Sequence, residues 1–162
     1  MLTVERTLEE LRAEQPDSFS VARTLAATRS TLGDLRRREG ELKAARGCYD
    51  RVLDLAGPLY RLAPDDADVL RNLARTHAAL GDLAMQADTA RQAQVSYARA
   101  RETVEDLVDR MPDSAEDVRN LEVICGREAL LRQDLGDMEG ALRLARQALH
   151  LAEGFVRLMP EN

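Results

Sequence analysis

Tryptophan is absent from this 162-residue chain, there are only two phenylalanines and three tyrosines, and lysine occurs once, at Lys43. With so little aromatic bulk, any core has to be assembled from Leu, Val and Ala at close helix–helix contacts. The near-exclusive use of Arg over Lys reads as coding bias. Cys48 and Cys125 are too few for a disulfide framework, and neither has a CxxC partner or a histidine cluster nearby. Both read as small buried hydrophobes of a reducing compartment. Residues 1–15 are acidic and amphipathic, without the basic start and apolar core of a signal peptide. No run approaches the ~18 apolar residues of a membrane span. The expectation is a cytoplasmic protein with no membrane contact. A net charge of −6 argues against nucleic acid as a partner, because such binding needs a basic surface to displace counterions.

Catalytic signatures are missing too. His77 and His150 are the only histidines, and neither belongs to HExxH or has a carboxylate or thiol at metal-ligand spacing. They read as surface or groove-lining imidazoles. No G-x-S-x-G, P-loop or G-x-G-x-x-G occurs. Acidic pairs such as Glu9-Glu10 and Asp65-Asp66 fall at helix ends and caps, where they suit the helix dipole or a solvated face. No catalytic residue, cofactor or metal is therefore expected, and an enzyme with an unrecognised site is the least favoured reading.

What the chain does have is a period. Pro16, Pro64, Pro112 and Pro160 stand 48 residues apart, each followed by an acidic residue. A fixed period of this size marks a repeat array whose units are single supersecondary elements. The units are 17–64, 65–112 and 113–160, preceded by a partial leading helix at 1–16, all in one repeat domain over 1–162. In register, Arg23, Arg71 and Arg119 coincide, as do Leu25, Leu73 and Leu121; Leu32-Gly33-Asp34-Leu35 matches Leu80-Gly81-Asp82-Leu83. The third unit has Glu128-Ala129-Leu130-Leu131 there, and Ala145 in the place of Tyr49 and Tyr97.

Both halves of each unit have helical periodicity. In the first halves Val21, Leu25, Thr28, Leu32 and Leu35 share a face, as do Val69, Leu73, Thr76, Leu80 and Leu83. In the second halves the stripes are Ala45, Tyr49, Val52, Ala56, Leu59 and Ala93, Tyr97, Ala100, Val104, Leu107. Asp17, Asp65 and Asp113 are N-cap candidates. Turns are expected near 38–41, 86–89 and 135–138, with Gly40 and Gly136 supplying left-handed residues. Gly33 and Gly81 could themselves be turns. The alanine at the same place in the third unit favours a demand for small side chains within the helix.

This pattern resembles the tetratricopeptide repeat, W-x2-L-G-x2-Y, then A-x3-F, then P. Leu32-Gly33, Leu80-Gly81, Ala45-x3-Tyr49 and Ala93-x3-Tyr97 carry the likeness. The family's Trp place holds Arg29, His77 and Cys125, and Ala129 and Ala145 depart from it in the third unit. The usual repeat has about 34 residues, so this is a long-helix variant with about two extra turns per helix. The resemblance implies an all-α, right-handed superhelical solenoid of antiparallel helical hairpins, first helices lining a concave groove, and protein or peptide partners. It implies no reaction.

If the resemblance holds, Arg23, Arg71 and Arg119 face the groove one per unit, beside Asn72 and Asn120, with Arg75 one turn along. Guanidinium forks beside amides suit carboxylates, such as an acidic or C-terminal peptide segment. The competing reading gives each arginine a local acid, as Asp68 with Arg71 or Glu116 with Arg119, and needs no ligand. Two functions follow: a scaffold binding a peptide or partner protein, or the repeat segment of a larger bacterial signalling or regulatory protein used for sensing or self-assembly. In residues 141–158 apolar positions fill most of the helical wheel, where a terminal helix should be polar outside. Leu144, Leu151, Phe155 and Leu158 are expected to serve self-association, in a homodimer or in the continuation of a longer array.

Overall fold

A computed structural model of the chain describes residues 2–158, with side chains over 6–156. Those residues form seven α-helices and no strand: α1 (Leu2–Glu14), α2 (Phe19–Arg38), α3 (Leu42–Leu62), α4 (Ala67–Gln86), α5 (Ala90–Arg110), α6 (Ala115–Asp134) and α7 (Met138–Leu158). The expected turns near 38–41, 86–89 and 135–138 are where the paired helices meet. The architecture is an all-helical repeat of long hairpins. Two compact units divide the chain, residues 1–79 and 80–162.

Each repeat begins with the same local device, one residue later than the sequence suggested. The N–H of Ser18 donates to Gln15 O at 3.1 Å, that of Asp66 to Ala63 O at 3.3 Å and that of Ser114 to Met111 O at 3.0 Å. Proline and the following Asp are thereby the two central residues of a β-turn, for which proline's fixed φ is suited. Asp17, Asp65 and Asp113 are used up in that turn. The capping oxygens belong to Ser18, Asp66 and Ser114, which accept from the N–H groups of Val21, Val69 and Asp117. At the hairpin turns, Gly40 and Gly136 both adopt φ of +80°, and the middle repeat puts Asp88 there at φ +53°. Among the described residues only these positions adopt the left-handed conformation.

In the first unit the core joins Ala22, Leu25 and Ala26 of α2 to Val52, Leu55 and Leu59 of α3 and to Val69 of α4. Leu8 of α1 packs against it, while Leu11 is exposed and the side chain of Val4 lies outside the described residues. Arg29, buried on α2, pairs with Glu9 of α1. The α2 stripe sits one residue beyond the expected one: Leu35 is exposed and Ala22, Ala26 and Gly33 are buried. The α5 stripe of Ala93, Tyr97, Ala100, Val104 and Leu107 is buried throughout, as read from its periodicity.

Gly33 and Gly81 lie inside helices. A Cβ on Gly33 would meet Tyr49 Cε1 at 2.6 Å, and one on Gly81 would meet Tyr97 Cε1 at 2.6 Å. Each tyrosine ring lies against glycine backbone and its hydroxyl donates to the next residue, Tyr49 to Asp34 at 2.7 Å and Tyr97 to Asp82 at 2.8 Å. Burial first, then the bond to a carboxylate, raises both phenol pKa values well above the usual range. Leu-Gly-Asp and the tyrosine fifteen residues after the Asp are thus one packing unit.

Candidate functional site

The first unit contains a cleft of about 280 Å³ between α2, α3 and α4. Its floor is apolar, from buried Ala26, Val52, Leu59 and Val69, with Ala56 and Leu73 partly covered. Exposed Arg23, Thr24, Ala27 and Asp68 stand at its mouth, with Asn72 half-buried beside them. Small residues on facing helices create the space. Alanines at 26, 27 and 56 leave room that leucines would fill.

Two of the six residues chosen from sequence, Arg23 and Asn72, line this cleft. Arg23 Nη1 lies 3.4 Å from Asp68 Oδ2 and 3.6 Å from Asp66 Oδ2, and its guanidinium stands 5.9 Å from the Phe19 ring. Arg71 Nη1 lies 3.3 Å from Asp68 Oδ1, the local acid that the competing reading named. Asp68 is therefore shared by two arginines at the mouth of an apolar cleft. Such half-exposed pairs are worth about 0–1 kcal/mol, so a ligand can displace them at little cost.

Asn72 has a structural task as well. Its Oδ1 accepts from Ser30 Oγ at 2.7 Å and from Arg75 Nη2 at 3.2 Å. Buried Thr76 donates to Asn72 O at 2.7 Å and lies 3.3 Å from Ser30 Oγ. This satisfied polar cluster fixes α2 against α4 and orients the Asn72 amide. With its oxygen occupied, the amide offers a ligand its NH2 group.

Arg119 and Asn120 belong to the second unit, where both are exposed on α6. Arg119 Nη1 is 4.0 Å from Glu122 Oε2, and its guanidinium stands 5.4 Å from the Phe155 ring. That cation–π contact joins α6 to α7.

The second unit also holds a feature that sequence reasoning missed. Glu128 is completely buried, and arginines of α5 and of its own helix α6 serve it. Arg101 Nε donates to its Oε2 at 2.9 Å, and Arg132 donates to its Oε1 from Nε at 3.1 Å and Nη2 at 2.9 Å. Arg101 also bonds both oxygens of Glu105, which accepts from Gln147 Nε2 of α7 at 3.0 Å. Burial works against the charged form of Arg101, but its bonds to Glu128 and Glu105 outweigh it and raise its pKa. Arg132 continues to Asp137 at 2.8 Å, whose carboxyl is held below the ordinary range by the Gly140 N–H and by Arg132. Nearby Cys125 is fully buried, which pushes its thiol up to about 12. It is inert at neutral pH. The signal for this network was present in the sequence, as a Glu in the column that holds Leu32 and Leu80.

The residues expected to serve self-association are placed differently from the wheel's suggestion. Leu144 is buried at 4 % exposure, and Leu151 and Phe155 are half-buried. These three are turned inward, because α7 packs its inner stripe on α6. The side chain of Leu158 lies outside the described residues. The apolar surface left open on α7 belongs to Met138, Leu142, Leu149 and Val156.

Among the described residues no group of three His, Cys, Asp or Glu side chains is placed to hold a metal ion, and no helix is long and apolar enough to cross a membrane. No protein-family model matches this chain, and no curated protein matches it.

Proposed function

We propose that the protein is a protein-interaction scaffold whose first unit seats an apolar side chain of a partner peptide in the α2–α3–α4 cleft. The observation that supports this reading is the pairing of an apolar floor with a polar mouth, where Arg23 and the Asn72 amide stand ready for peptide groups. Pockets of this composition bind through their walls and orient through a few polar groups. The reading takes the tetratricopeptide-like solenoid, right-handed and superhelical, as its structural premise. It takes the groove lined by first helices as the path of the peptide. An acidic or C-terminal segment fits if its carboxylate replaces Asp68 between Arg23 and Arg71. The role is binding, with no turnover.

The experiment is selection of peptides from a displayed random library on the purified chain, followed by titration against two variants. Ala27→Trp, at an exposed lining position, fills the cleft without touching the buried core and should weaken binding at least about tenfold. Arg23→Glu should weaken acidic peptides by a similar factor and neutral ones less. Unchanged affinity in Ala27→Trp, with the helix content intact, removes the cleft from the function.

A second reading is favoured by the open apolar face of α7. There the chain acts as the repeat segment of a larger bacterial signalling or regulatory protein, used for sensing or self-assembly. The peptide titration and a measurement of self-association separate the two.

A further inference from the structure

The open face of α7 has a regular pattern. Met138, Leu142, Ala145, Leu149, Ala152 and Val156 follow one another at steps of four, three, four, three and four. That spacing is the a/d seam of a coiled coil. Met138, Leu142, Leu149 and Val156 are 56, 55, 62 and 69 % exposed. Soluble surfaces rarely present such a contiguous apolar stripe without a partner. Leu135, 49 % exposed in the turn before α7, extends it.

The same register positions on α5 show what a covering first helix demands. There Tyr97 shares a core cluster with Leu131 of α6, Arg101 is bonded to buried Glu128 of α6, and Val104 is buried. On α7 those places are Ala145, Leu149 and Ala152. The seam has none of the polar groups by which α5 engages its neighbour. Its alternation of large and small side chains is instead complementary to itself.

We infer that α7 is a homotypic interface, in which two copies of the chain pair antiparallel along this seam. A twofold axis passing between Arg143 and Leu144 sets Leu142 of one copy opposite Ala145 of the other. It also sets Leu149 opposite Met138, and Ala152 opposite Leu135. Large meets small or flexible at each layer, and every contact occurs twice, as an isologous interface requires. The flanking charges agree with this register. Glu139 and Arg146, both exposed, directly follow Met138 and Ala145 on the same edge of the seam. Antiparallel pairing puts Glu139 of each copy beside Arg146 of the other, whereas a parallel pair sets each of them against the opposite edge of the partner helix and does not bring them together. The interface is independent of the peptide cleft, none of whose lining residues changes below.

Sedimentation equilibrium on the 162-residue chain across a hundredfold range of concentration is the test. A monomer–dimer equilibrium is expected. The double variant Leu142→Glu/Leu149→Glu should keep its far-ultraviolet circular dichroism and associate at least about a hundredfold more weakly. Glu139→Arg should weaken the dimer about tenfold, and adding Arg146→Glu should restore it. This charge swap uses exposed side chains only, so it remains decisive if the double variant fails to fold. A monomer at the highest concentration overturns the proposal and leaves the seam to a further repeat or a different protein. A dimer indifferent to both the leucine and the charge variants overturns it as well.

Discussion

The α2–α3 and α6–α7 hairpins have the same helix lengths, 20 and 21 residues, and turn at equivalent positions, yet they are held by opposite means. In the first, Tyr49 lies on Gly33 and bonds Asp34. In the third, Ala129 replaces the glycine, Ala145 the tyrosine and Leu130 the aspartate, and Leu130 is left 65 % exposed. All three members of the packing unit have changed together. Glycine at this place has value only beneath an aromatic ring, since it costs a helix about 1 kcal/mol relative to alanine. Once the ring is gone, alanine is the better residue. The third hairpin makes up its polar contacts through Glu128, where the others carry Leu32 and Leu80. A buried carboxylate is tolerated there because two guanidinium groups supply bonds to both its oxygens.

The largest effect should come from that carboxylate. Glu128→Gln leaves Arg101 and Arg132 facing a neutral amide that cannot accept all their bonds, and should cost about 3 kcal/mol in urea denaturation, the low end for breaking a buried pair. Both arginines are about one-fifth exposed and keep Glu105 and Asp137 as partners. For that reason Glu128→Leu, the residue of the other two repeats, should cost less than half as much. An equal cost for Leu and Gln would mean that this hairpin requires the charge and does not merely accommodate it.

The glycine–tyrosine pairing can be broken by a cycle of smaller amplitude. Gly33→Ala drives a Cβ into the Tyr49 ring and should destabilise by about 2 kcal/mol, within the range for overpacking. In a Tyr49→Ala background, already weakened by its cavity, the same substitution should stabilise by about 1 kcal/mol, which is the helix propensity difference. The change of sign is the test. Thermal or urea unfolding of the four proteins measures it directly, and two values of the same sign would show that the column responds to propensity alone.

How much of this was legible in the sequence follows from which contacts are local. The 48-residue period, the three turns and the buried α5 stripe could be read because periodicity and turn glycines act within one element. Gly33 and Gly81 could be placed inside helices by alignment, but the ring above each could not, since Tyr49 and Tyr97 reach them from another helix. The caps were read one residue early because a Pro-Asp turn and an Asp cap look alike until the backbone bond to Gln15, Ala63 or Met111 is known. Of the six residues proposed for the groove, Arg23 and Asn72 line a cleft, which their own column could not reveal. Its floor comes from alanines and valines on three helices. Glu128 escaped notice for the converse reason: its burial depends on Arg101 and Arg132 together, and Arg101 reaches it from another helix.

The smallest expected effect concerns the turn in which the middle hairpin is the exception. Asp88 holds φ +53° where Gly40 and Gly136 hold +80°. The bonds around it match its counterparts: Asp88 N donates to Met85 O at 3.2 Å and Thr89 N to Ala84 O at 2.9 Å, as Gly40 and Glu41 donate to Arg37 and Arg36. The turn is therefore already formed, and only the residue in it is strained, since a left-handed conformation brings Cβ toward the following carbonyl. The outer hairpins add an ion pair across the turn, Arg36 with Glu41 and Arg132 with Asp137, where the middle one has Thr89 Oγ1 donating to Ala84 O at 3.0 Å. Asp88→Gly should relieve the strain and stabilise the protein by about 0.5 kcal/mol, because glycine's gain in the turn is partly offset by the larger entropy of its unfolded chain. A loss of stability would show instead that the Asp88 side chain holds the turn, and that the middle hairpin is closed by its own device.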